Sequence, residues 1–135
     1  MFDYTIETDK SISEAISVLE ESLKKEQFGV LSTFDMKEKL NDKGLDFSRE
    51  FKVLEVCNPY EAYRVLSENQ MAGYFLPCKI VVFEDNGKTK IGMPRPTSLI
   101  SMLHDEKMQR LAADIEKRLI LVLIIVNKIK KYIFS

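Results

Sequence analysis

Few side chains in this chain are suited to chemistry: two cysteines, Cys57 and Cys78, one histidine, His104, and an arginine set between prolines in Met93-Pro94-Arg95-Pro96. Cys57 ends an apolar, β-branched stretch and stands directly before Asn58-Pro59. A thiol at a helix start meets unpaired backbone amides and the positive end of the helix dipole, and both favour the thiolate. Cys78 opens a later strand-like stretch. If the two strands are neighbours, the sulfurs form a redox pair, Cys57 attacking and Cys78 resolving, or half of a metal site. The same residues fit a plainer role, because free cysteine commonly serves as a small buried apolar side chain.

Asn58 has the side chain preferred for capping a helix N-terminus, and Pro59 has the fixed φ suited to the first helical position, so a cap competes with a catalytic amide as its role. Arg95, between two rigid residues, suits a carboxylate or phosphate ligand as well as it suits a solvated loop. Tyr74, Phe75 and Met93 are possible walls of a small apolar pocket near the cysteines, although core packing accounts for the same residue types. The candidate ligand-binding or redox set is therefore Cys57, Asn58, Tyr74, Cys78 and Arg95.

Several chemistries lack their residues. Two cysteines with 20 residues between them and a single histidine match no zinc spacing, so no metal and no cofactor is expected. One histidine supports no serine, histidine and acid triad, and His104 in Leu-His-Asp-Glu reads as a surface residue at a helix start. Neither Gly-x-Gly-x-x-Gly nor Gly-x-x-x-x-Gly-Lys occurs. Twenty Lys and Arg against 21 Asp and Glu leave a net charge of −1, which disfavours nucleic acid as a partner.

The elements that must position these residues follow from periodicity. Phe2, Tyr4 and Ile6 alternate as a strand over 2–7. Ser11 and Glu14 form a capping box for a helix to about Lys25, with Ile12, Ala15, Ile16, Leu19 and Leu23 at helical spacing. A second strand follows Gly29, a brief helix covers 36–42, a third strand covers 47–56, and a helix covers 59–68. Asn86-Gly87 predicts a tight type I′ hairpin joining strands at 79–83 and 88–92. Pro94 and Pro96 end the sheet, since neither has an amide donor. From Thr97 the spacing is helical, with His104-Asp105 dividing a short helix from a long one. This order predicts one two-layer α+β domain over residues 1–135, a mostly antiparallel sheet of about five strands with helices packed on one face.

Glu55-Val56-Cys57-Asn58-Pro59, then Gly73-Tyr74-Phe75-Leu76-Pro77-Cys78 and a hairpin, resemble the prokaryotic domain of unknown function numbered 302 over roughly residues 2–120. The resemblance implies a two-layer α+β fold and a homodimer, and it implies no activity. The chain departs from that pattern after Leu119, where Leu119 to Val126 is apolar throughout and residues 127–134 mix lysines with apolar side chains. Such a tail suits burial on several sides, as in a dimer, or contact with a membrane surface. It is too short for the ~20 residues of a bilayer span. The opening residues lack a secretory leader pattern and the cysteines are few, so the expected compartment is the cytoplasm. The favoured function is a non-enzymatic module binding a small ligand or partner. The alternatives are cysteine-dependent redox or metal handling, and docking on a membrane through the tail.

Overall fold

A computed structural model gives the fold and describes residues 1–128. Strand β1 (Asp3–Thr8) leads to helix α1 (Ile12–Lys25), β2 (Gly29–Asp35), α2 (Met36–Asp42), β3 (Phe51–Cys57) and α3 (Pro59–Glu68). A 3-10 turn at Gln70–Tyr74 then feeds β4 (Cys78–Asp85), β5 (Lys88–Pro94), α4 (Pro96–Ile100), a second 3-10 turn at Ser101–Leu103, and the long α5 (Glu106–Lys128). The five strands form one sheet in the order β1-β5-β4-β3-β2, with every neighbouring pair antiparallel.

Local chemistry sets most boundaries. Ser11 and Glu14 exchange the two hydrogen bonds of a capping box at the start of α1. Asn86 and Gly87 adopt φ of 52° and 77°, as the two-residue hairpin requires. His104 takes the left-handed conformation, φ 53°, which breaks the helical path. Asp105 then accepts from the Met108 amide at 3.1 Å to start α5.

The third strand begins at Phe51 and not at Phe47. Its partner explains why: β3 meets β4 from Phe51 opposite Phe83, and β4 turns into the hairpin at Asp85, so no strand remains for residues 47 and 48 to pair with. Phe47 instead donates its amide to Asn41 Oδ1 at 3.1 Å and sets its ring edge-on to Phe51 at 6.3 Å.

Alternation along the strands sends Leu54, Val56, Ile80, Val82, Ile91 and Met93 into the core, where α1 and α5 cover them. The apolar run from Leu119 belongs to α5 itself. Leu119, Val122, Leu123 and Val126 recur at helical spacing and are buried, whereas Leu121 and Ile125 are each 49% exposed. The domain therefore buries one face of that run. Near its end, the Lys10 ammonium donates to the Val126 carbonyl at 2.9 Å, where the helix dipole is negative. The lysine-bearing part of the tail beyond Lys128 lies outside the described residues. No helix among the described residues is long and apolar enough to cross a membrane.

Arg118 ties α5 to two other elements. It donates to Glu61 Oε2 on α3 at 2.6 Å and to the Glu26 carbonyl after α1 at 2.6 Å, with the Phe28 ring 5.4 Å below its guanidinium. The one-sided burial of α5 has a measurable consequence. Leu123→Ala is expected to cost about 2–5 kcal/mol of unfolding free energy and Leu121→Ala no more than about 0.5 kcal/mol, read from urea midpoints at constant m.

Candidate functional site

The hairpin determines where the sheet opens. With a two-residue loop, Asp85 and Lys88 form the first closely bonded pair, and bonding recurs at every second pair, Phe83 with Lys90 and Val81 with Gly92. The next pair in that series would be Lys79 with Pro94, and proline has no N–H to give. The β4–β5 register stops at Val81 and Gly92. Beyond that point β4 stays paired to β3 as far as Cys78, and β5 stays paired to β1 as far as Pro94. The two strands part.

A cavity of about 380 Å³ occupies the parting. Cys78 and Met93 form its strand wall, Val65 and Phe75 come from α3 and the turn after it, and Met108, Ala112 and Ile115 come from α5. Ala112, the small member of that helical stripe, leaves the room. Phe2, Tyr74, Glu55 and Lys79 also line it. Phe2 is 63% and Tyr74 83% exposed, so the aromatic rings mark its mouth. The Lys79 ammonium lies 3.3 Å from Glu55 Oε2, and the Ser32 hydroxyl donates to Glu55 Oε1 at 2.7 Å. Those two partners, the hydroxyl first, hold the Glu55 carboxyl below its ordinary range.

The residues singled out from sequence are divided by this geometry. Tyr74 and Cys78 meet at the cavity, together with Phe75 and Met93. Cys57 does not. The two cysteine segments are indeed neighbours, with Val56 directly opposite Cys78, but Cys78 shares the core-facing side with Val56 while Cys57, one residue on, faces the other side of the sheet. Side chains on opposite faces cannot be bridged without backbone movement. Both cysteines are free thiols.

Asn58 is a structural cap. Its side-chain oxygen accepts from the Tyr60 amide at 3.0 Å and the Glu61 amide at 3.2 Å, and its Nδ2 donates to the Glu26 carbonyl at 3.1 Å. These bonds occupy the helix-terminal amides expected to activate Cys57. Burial instead pushes the Cys57 thiol up, and burial followed by the nearby Cys57 pushes Cys78 up to about 11. Arg95 does not line the cavity. It pairs with Glu116 at 3.2 Å, donates to the Asp3 carbonyl at 3.2 Å and lies over the Tyr4 ring at 5.6 Å. Among the described residues no group of three or more His, Cys, Asp or Glu side chains is placed to hold a metal ion.

Sequence reasoning missed Phe2, Glu55, Lys79 and the α5 wall. The α5 residues carried a legible sign, since Met108, Ala112 and Ile115 lie on one helical stripe. Lys79 carried none, because the parting of the strands is a property of the sheet.

The model of a domain of unknown function, DUF302, matches residues 4–125. The crystal structure of an uncharacterized conserved DUF302 protein from Bacillus stearothermophilus is similar over 91% of this chain and 96% of that one, with 58% identity and a TM-score of 0.90. No curated protein matches the chain.

Two outcomes follow from the thiol environments. Treatment of the native protein with diamide is expected to leave no Cys57–Cys78 disulfide by intact mass, and an intramolecular loss of two hydrogens would contradict the placement on opposite faces. Cys78 also links stability to pH. Its folded pKa of about 11 lies above the ordinary 9.0, so the folded state keeps the proton longer. Its contribution is fully present below about pH 9 and is lost as the pH rises towards 11. Cys78→Ala should therefore flatten the fall of the urea midpoint between those pH values relative to the wild type.

Proposed function

This chain belongs to the DUF302 family, and from that premise we propose that it is a small-ligand-binding module whose ligand occupies the cavity between β4, β5 and α5. One observation carries the reading: an internal space of about 380 Å³, walled by apolar side chains and open at a mouth with two exposed aromatic rings. That volume lies near the small end of the roughly 300–1,000 Å³ usual for ligand pockets. Void costs stability when empty, and an apolar occupant restores the dispersion contacts that its lining forgoes.

The reading gives Cys78 the part of a wall. Its thiol is protonated at neutral pH and far from the thiolate that redox or metal chemistry needs. It needs no catalytic residue, and it places Tyr74 where a ligand enters. It also supplies a reason for leaving Arg95 and Asn58 out of the site, because their polar atoms are committed to protein partners.

The neutral fluorophore N-phenyl-1-naphthylamine tests this reading. Its emission should rise on mixing with the protein, and Ala112→Trp, which fills the cavity from α5, should weaken binding by at least tenfold while circular dichroism stays native. Equal binding by both proteins would place the dye elsewhere and remove the proposal. Native mass spectrometry of protein taken from cells adds a second readout, with a retained small molecule and two subunits as the expected result.

A further inference from the structure

The cavity is uneven in polarity, and that unevenness specifies the ligand more closely, given the binding role proposed above. Its deep wall of Val65, Met93, Met108, Ala112 and Ile115, with Cys78 beside it, offers only weak side-chain hydrogen-bond partners, two thioethers and one thiol. A ligand with polar atoms at that end would lose their hydration without return. Among the described residues that line it, the charged side chains are Glu55 and Lys79 alone. They are not equivalent. Both Glu55 oxygens are engaged, one by Ser32 and the other by Lys79. The Lys79 ammonium has three protons and, among the described residues, a single side-chain acceptor at a long 3.3 Å. By the alternation that sends Cys78 to the core, Lys79 leaves from the opposite face of the sheet and meets the cavity where β4 and β5 part; its side chain is 53% exposed, so the ammonium can swing through that parting onto an incoming group. Arg95, just after β5, is held by Glu116 and does not line the cavity.

We propose that the ligand is a monoanionic amphiphile, an apolar body seated against Met108 and Ala112 with its carboxylate on the Lys79 ammonium at the mouth. Lys79 is thus the residue that reads the head group. Its bond to Glu55 acts as a resting contact that the ligand carboxylate replaces.

Decanoate and decanol, which share a chain and differ in the head, form the test, each displacing N-phenyl-1-naphthylamine at pH 7.5 and low salt. At that pH the carboxylate is ionised and lysine protonated. Wild-type protein should bind decanoate more tightly than decanol. Lys79→Met should weaken decanoate by about tenfold, the usual scale for losing a charged hydrogen bond, and leave decanol within about twofold. Lys79→Arg should restore most of the loss, and Glu55→Gln, which frees the ammonium, should strengthen decanoate alone. Unchanged decanoate binding by Lys79→Met overturns the head-group inference and leaves the cavity reading standing, provided the dye still binds and Ala112→Trp still blocks it. Failure of the dye itself to bind overturns both. Equal weakening of decanoate and decanol by Lys79→Met also overturns the inference, since it marks a packing effect and not recognition of charge.

Discussion

A proline cannot donate a backbone hydrogen bond, and in this protein the rest of the structure turns on the place where that matters. Pro94 stands at the end of β5, where the β4–β5 ladder would next need an amide opposite Lys79. The strand keeps its bond to the other neighbour, and the Arg95 amide continues it by donating to the Phe2 carbonyl at 2.8 Å. Arg95 then reaches Glu116 on α5. The same carboxylate accepts from the Thr97 amide at 2.9 Å and the Thr97 hydroxyl at 2.6 Å, which holds the start of α4. A single missing donor thus opens the sheet, and one glutamate places a helix along the opening.

The other side of the opening is held by charges of the same kind. Asn58 caps α3 and fastens it to the Glu26 carbonyl, which Arg118 also contacts. Glu61, 8% exposed, bonds both Arg118 and Arg64. A buried carboxylate with two cations is not a large net source of stability, but taking away one partner is costly because the other is left unpaired. Such pairs hold geometry. They fix α3 against α5, and none of these charged side chains lines the cavity.

The cysteines illustrate how much a register decides. Adjacent strands bring their backbones together, and sequence reasoning about Cys-Asn-Pro and Leu-Pro-Cys anticipates that neighbourhood. Strand side chains alternate with a period of two, however, so an offset of one residue sends the two thiols to different faces. The asparagine that follows Cys57 then takes the helix-terminal amides for itself. What reads as an activated nucleophile in one dimension becomes, in three, a raised thiol beside a helix cap.

Local interactions are what the sequence alone determined. The Ser11–Glu14 capping box, the Asn86-Gly87 hairpin, the Asn58-Pro59 helix start and the proline at the sheet's end each depend on residues close along the chain, so their chemistry can be read from neighbours. The α+β class and the helical face of α5 follow from periodicity in the same way. Phe47 shows the limit: it has a strand former's side chain, yet the partner strand has already turned away. Only the tertiary structure decided that Lys79 and Tyr74 share a cavity with α5, that Arg95 is spent on Glu116, and that Leu121 faces outward while Leu123 is buried. Each of these depends on which strands part and which helix lies over them, and that pairing joins residues too distant along the chain for spacing to encode.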